Sequence, residues 1–166
     1  MSKKLENNGI WESSRMMLPQ HREELLKRRS QQPEEHRPPR REDLELMRDR
    51  ILLPVMISIV KKRIQAIEAS SEALKHLYSK VAQVLLQDIQ KDLSKVEQTM
   101  LDERIDLTQE GKDTQMIWYR YSFHGYEDTF TITRDYMRTE VSVRIGRYSD
   151  RLITALYARL QDHKQK

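Results

Sequence analysis

A helical spacing of apolar residues over roughly thirty positions constrains the fold of this chain more than any other sequence feature. We predict one long helix from about Glu72 to Leu101, of roughly 45 Å at about 1.5 Å per residue. A helix of that length cannot be buried at both ends in so small a domain, so it must pair with another helix or with a partner chain. Its apolar residues recur every three or four positions: Leu74, Leu77, Tyr78, Val81, Val84, Leu85, Ile89, Leu93, Val96, Met100 and Leu101.

The segment before this helix predicts its partner. Apolar residues at i, i+3 and i+7 place a helix at 41–52, and Pro54 predicts a kink or a new helix that runs to about Ala69. Ser70 and Ser71 are the expected caps of the long helix. An arm of about sixteen residues would leave about half of the long helix uncovered, so we expect a homodimer. A monomer in which the sheet and the C-terminal helix cover the remainder is the alternative.

Alternating apolar and polar residues predict a sheet after the helices. The strands are expected at 105–109, 114–123 and 128–132, with turns at 110–113 and 124–127. Tyr119, Tyr121 and Phe123 should face the core and leave mainly Trp118 outside, although aromatics beside Arg120 are also typical of nucleic-acid stacking surfaces.

The last segment fits two structures. A single helix from about Thr133 is favoured because its apolar phase continues across Gly146, while a strand that ends at Gly146, followed by a helix from Ser149, is the alternative. The residues on the apolar face of the single helix are Met137, Val141, Ile145, Tyr148, Leu152 and Leu156.

These elements predict an α+β fold. In chain order it has an N-terminal tail, a helical hairpin with one long arm, a three-stranded antiparallel meander and a C-terminal helix. We divide the chain into a motif-bearing tail at 1–29, with a short helix at 20–29, a flexible linker at 30–41 and a body at 42–166. The linker assignment depends on proline, glutamine and charge without apolar side chains between Ser30 and Arg41.

The composition excludes several classes of function. The chain has no cysteine, so it has no disulfide or thiolate site, and a cytoplasmic location is expected. Its five histidines are scattered without metal-ligand spacing, and no nucleophile or phosphate-loop motif is present. We expect no enzyme activity, no cofactor and no metal. The most apolar run, 51–60, is too short to cross a membrane, so no membrane partner is expected.

The C-terminal segment carries the strongest candidate for nucleic-acid binding. Arg144, Arg147 and Arg151 lie at i, i+3 and i+7, so on a helix they form one stripe that could follow a phosphate backbone. A solubilising flank, whose side chains cover apolar surface, explains the same pattern. Weak, non-specific nucleic-acid binding through this stripe is therefore the alternative function.

The stretch from Gly9 to Leu25 resembles the N-terminal motif of the YolD-like family. The resemblance implies a cytoplasmic, non-enzymatic accessory protein, with an error-prone DNA polymerase or another protein of the DNA-damage response as its partner. It makes the motif residues the candidate partner-binding site, as an apolar hook at 11–18 with proline at the start of a short helix. The matching positions are Gly9, Trp11, Met16, Met17, Leu18, Pro19, His21 and Glu24.

Overall fold

The computed structural model describes residues 37–162 and confirms the predicted α+β fold. The body begins with two helices, α1 (Arg41–Ala69) and α2 (Lys75–Asp102). Three strands follow, β1 (Ile105–Lys112), β2 (Met116–Phe123) and β3 (Tyr126–Thr133), and α3 (Arg134–Asp162) ends the described region. The long helix is confirmed at nearly its predicted bounds.

The two helices of the hairpin have nearly equal length, which corrects the predicted short arm. α1 has 29 residues and α2 has 28, and no new helix begins at Pro54 because α1 continues through it. An interior proline costs about 3 kcal/mol, whereas each large apolar side chain that is buried contributes about 1.5–3 kcal/mol. Burial outweighs that cost because α1 buries seven such side chains, Met47, Ile51, Leu52, Leu53, Met56, Val60 and Ile64.

The connection between the helices corrects the predicted caps. Ser70 ends α1 instead of starting α2: both its backbone N–H and its hydroxyl donate to the Ile67 carbonyl, the hydroxyl at 2.7 Å. The N-cap of α2 is Leu74, which makes no side-chain cap hydrogen bond. The turn is instead fixed from within α2, where the buried Ser79 hydroxyl donates to Glu68 at 2.8 Å.

The sheet is the predicted antiparallel meander in the order β1-β2-β3, with longer outer strands. β1 extends to Lys112, so the first turn lies at 113–115 instead of 110–113, and β2 begins at Met116 instead of at the predicted residue 114. The register shifts between Gln109 and Gly111, which leaves Glu110 as an extra residue in β1. The second hairpin turn is tighter than predicted, since only His124 and Gly125 lie between the strands. Both have positive φ, 46° and 76°, as a two-residue hairpin turn requires.

One face of the sheet packs on the helices, as the alternation predicted. Tyr119, Tyr121 and Phe123 are buried, and Phe123 is fully enclosed. Trp118 lies on the other face with 37% of its surface exposed. The aromatic cluster is therefore mainly core, and Trp118 alone among these four side chains remains available at the surface.

The C-terminal segment is a single helix, and the strand alternative is wrong. α3 begins at Arg134, directly after β3, and passes through Gly146. Its buried Val141 joins the core formed by the hairpin and the sheet. Because Met137, Ile145 and Tyr148 pack around the same core, the phase of the apolar residues decided the structure over the local preference of glycine.

Candidate functional site

The predicted arginine stripe is divided between internal and external roles. Arg144 is an anchor between helices: it forms ion pairs with Asp49 of α1 and with Glu140, the latter at 2.9 Å. Only 16% of its side chain is exposed. Burial opposes the charge of Arg144, but the two carboxylates outweigh it and raise the pKa of the guanidinium. The positive charge of Arg144 is therefore balanced by two carboxylates within the fold.

The other two arginines remain at the surface. Arg147 is exposed, and within the described part of the chain it has no carboxylate partner within 4 Å. Arg151 stacks on the Tyr148 ring, with its guanidinium carbon 4.2 Å from the ring centroid, and lies 3.9 Å from Asp92. The structure thus leaves two of the three predicted arginines accessible to a ligand.

Tyr148 joins α3 to α2 through a partly buried hydrogen bond. Its hydroxyl donates to the Asp92 carboxylate at 2.6 Å. Burial and this hydrogen bond raise the pKa of Tyr148 to about 12. Burial raises the pKa of Asp92, but the Tyr148 bond and the charges of Lys95 and Arg151 outweigh it, so that this pKa is lowered.

The last turns of α3 carry a surface that the sequence prediction missed. Every residue from 153 to 161 is exposed. Leu152 and Ala155 still line a cleft against α2, but the described residues give the helix beyond them little cover. Leu156, predicted to face the core, is therefore at the surface. The sequence signal for this surface was a second set of apolar residues at i, i+3, i+4 and i+7, offset from the set that faces the core. The α3 stripe comprises Ile153, Leu156, Tyr157 and Leu160, which are 44–64% exposed.

The first half of α2 carries a second exposed surface. It lies on the side of α2 that further along faces α3, at Asp88 and Asp92. Near the start of α2 most of this side is left uncovered by the described elements, although Tyr78 lines a cleft with Arg63 and Ile67 of α1. The α2 stripe comprises Leu74, Leu77, Tyr78, Val81 and Val84, each 38–55% exposed.

The N-terminal motif lies outside the described residues. Its eight positions, from Gly9 to Glu24, and the predicted 20–29 helix therefore stay predictions. Arg37, in the predicted linker, is described: its guanidinium lies 5.0 Å from the centroid of the Phe123 ring.

Among the described helices, none combines the length and the apolar composition that a membrane-spanning segment requires. Within residues 37–162, no group of three or more acidic or histidine side chains is arranged to hold a metal ion.

Comparison with known proteins places the body of the chain in a family. The family described as YhjD protein matches residues 38–152, well over half of the chain. The chain is 27% identical over 104 residues to the uncharacterised protein YhjD of Bacillus subtilis (strain 168), which covers 63% of this chain and 87% of that relative. No solved structure matches.

The matched region sets the extent of this relationship. It excludes the segment that resembles the YolD-like motif, so that resemblance is not confirmed. It ends at Leu152, directly before the α3 stripe. It includes the hairpin, the sheet and the anchored part of α3. The chain therefore belongs to the YhjD family.

Proposed function

We propose that this protein is a non-enzymatic cytoplasmic accessory protein that forms a homodimer through its exposed helix stripes and presents its N-terminal motif to a protein partner. The observation that carries the proposal is the α3 stripe, four apolar side chains at coiled-coil spacing on a helix end that no described residue covers. Contiguous apolar patches of this kind on soluble proteins are typical of interaction surfaces.

The size of the two stripes supports pairing with a second copy. Together the nine side chains of the α2 and α3 stripes expose on the order of 800 Å² of apolar surface, which is one partner's share of a standard interface. Burial of apolar surface favours association, and it must offset association costs of about 4–15 kcal/mol. Because the same stripes occur on both copies, a twofold axis can cover them all.

Unequal lengths of the hairpin helices do not support the dimer. α1 and α2 match in length, so the two helices of one chain cover each other along their shared side. The proposal depends instead on the stripes, which lie outside that side except where Tyr78 borders α1. It therefore predicts that charges placed on a stripe disrupt assembly, whereas charges placed elsewhere on the same helices do not.

Sedimentation equilibrium at micromolar concentration tests the dimer. The chain has a mass of 20.0 kDa, so the expected dimer has a mass near 40 kDa, about twice that value. Tyr157→Glu should give the monomer, while Ala158→Glu, which places the same charge at an exposed position away from the stripe, should keep the dimer. A wild-type monomer would refute self-association, and an undisturbed Tyr157→Glu dimer would refute this interface.

The partner of the N-terminal motif is proposed from its resemblance to the YolD-like family. An error-prone DNA polymerase encoded in the same genome is the candidate, and anisotropy of the labelled full-length chain measures its binding. Trp11→Ala combined with Leu18→Ala should weaken binding at least about tenfold, or 1.4 kcal/mol, because the two residues are the ends of the predicted apolar hook. Arg138→Ala serves as a control on α3, and equal loss in both variants would contradict the assignment.

Direct nucleic-acid binding is the second candidate function. The exposed Arg147 and Arg151 favour it, whereas the paired Arg144 does not contribute a free charge. Two phosphate contacts would give a slope near −1.8 for the logarithm of the association constant against the logarithm of salt concentration, from about −0.9 per contact on duplex DNA. Arg147→Ala with Arg151→Ala should reduce this slope to near zero, and an unchanged slope would reject this surface.

A further inference from the structure

A cleft between α1 and α3 collects four arginines from two helices. It has a volume of about 570 Å³ and lies where the first half of α1 faces the middle of α3. Arg48 comes from α1, and Arg144, Arg147 and Arg151 come from α3. Three acidic residues, Glu45, Asp49 and Asp150, also line it.

Most of the acidic charge in this cleft is already paired. Asp49 pairs with Arg144, and Glu45 accepts a hydrogen bond from Arg41 at 2.9 Å. Asp150 is the exception, an exposed carboxylate without an ion-pair partner among the described residues. The cationic side is less satisfied, because over residues 37–161 neither Arg48 nor Arg147 has a carboxylate within 4 Å.

Arg48 is held in place but incompletely bonded. Its Nη1 donates to the Tyr136 hydroxyl at 3.3 Å. Its Nε is buried and has no hydrogen-bond partner among the described residues. A buried donor without a partner is destabilising, so the described protein groups do not fully satisfy the Arg48 guanidinium.

Arg48 and Arg147 line the same cleft from different helices. Both lie close enough to Glu140 to help lower its pKa, after the larger effect of its hydrogen bond from Arg144. Since Arg144 occupies Glu140 directly, neither of the other two guanidinium groups has a carboxylate partner of its own among the described residues. Two guanidinium forks from different helices match the several oxygens of a tetrahedral anion better than the single plane of a carboxylate.

We propose that this cleft binds a phosphate group between Arg48 of α1 and Arg147 of α3. The site differs from the stripe predicted from sequence, because Arg48 takes the place that Arg144 would have had. It does not depend on the homodimer, whose stripes use other residues. A free phosphate or phosphomonoester and the phosphodiester of a nucleic acid present the same oxygens, so both are sources of the ligand.

Titration of the full-length protein with inorganic phosphate at low ionic strength, followed by amide chemical shifts, tests the site. We expect millimolar binding that Arg147→Ala weakens at least about fivefold, which corresponds to about 1 kcal/mol. Arg159→Ala removes the same charge from α3 outside the cleft, and it should change the affinity less than about twofold. Asp150→Asn should strengthen binding about twofold, because it removes the unpaired carboxylate.

The second arm separates the two sources of phosphate. A duplex oligonucleotide that binds at least about a hundredfold more tightly than inorganic phosphate, and loses affinity with Arg147→Ala, assigns the site to a nucleic-acid backbone. Tighter binding of phosphate than of the duplex assigns it to a free phosphate group. Equal effects of Arg147→Ala and Arg159→Ala, or no shift at about 10 mM phosphate, would overturn the proposal. Arg48→Lys checks the second fork while keeping the charge, and unchanged affinity in it would also contradict the site.

Discussion

Replacing Gly146 by alanine should stabilise the protein, although this glycine lies in the middle of the 29-residue helix α3. A Cβ atom added at Gly146 would meet no atom within 4 Å, so alanine introduces no clash. The gain is therefore the intrinsic helix preference of alanine over glycine, about 0.8–1.0 kcal/mol, which arises from the larger backbone entropy that glycine loses on folding. For a body of this size the expected rise in melting temperature is about 3–5 °C.

Urea unfolding followed by circular dichroism at 222 nm measures this gain directly. Gly125→Ala is the matched control, because Gly125 has a φ of 76° in the β2-β3 turn, where alanine is strained and should lose about 1 kcal/mol. Opposite signs for the two substitutions are expected. A Gly146→Ala variant less stable than the wild type would refute the reasoning, since it would mean that α3 needs a bend or a close neighbour at this position.

Three further predictions follow from the ends and anchors of the helices. Arg104→Gly should raise stability by about 1 kcal/mol in the same urea assay, because Arg104 follows α2 with a φ of 53° in the region that favours glycine; an equal gain from Arg104→Ala would exclude this cause. Arg144→Ala should lower the free energy of unfolding by about 2 kcal/mol, because Asp49 and Glu140 lose their shared partner. Arg147→Ala should change it by less than about 0.5 kcal/mol. Equal losses in the two variants would show that the ion pairs of Arg144 do not stabilise the fold. Tyr148→Phe should cost about 1 kcal/mol at neutral pH through its lost hydrogen bond. Since burial and the Asp92 bond raise the folded pKa of Tyr148 from 10.0 to about 12, the stabilisation is complete below pH 10 and is lost as the pH rises towards 12. The difference between wild type and Tyr148→Phe should therefore shrink over that window in thermal melts, and a constant difference would contradict this linkage.

The sequence predicted the periodic parts of the fold because burial sets their phase. The long helix, the order of the strands and the inward face of Tyr119, Tyr121 and Phe123 all follow from the spacing of apolar residues. Gly146 did not break α3, because the apolar side chains on both sides of it pack on the same core. The helix preferences of single residues were the weaker guide, as Pro54 shows most clearly. α1 continues past Pro54 because the side chains on both sides of it are buried.

The candidate sites were harder to predict because they depend on contacts between distant segments. The helical spacing placed Arg144, Arg147 and Arg151 on one stripe, but it could not show that Asp49, 95 positions earlier, occupies Arg144. Nor could the spacing join Arg48 to Arg147. The α3 stripe could have been recognised as a second apolar set, but only the structure gives the point at which α3 leaves the hairpin.

The hairpin and the meander are built from neighbours in the chain, which has a consequence for how the body folds. α1 pairs with α2, β1 with β2 and β2 with β3, so each pairing closes a short loop and can form early. α3 instead contacts α1 through Arg144 and Asp49. This contact closes a long loop, so it is expected to form after the hairpin and the sheet. In native-state hydrogen exchange, the amides of α3 should therefore open in a separate, lower-energy step, while those of the hairpin exchange only when the whole body unfolds.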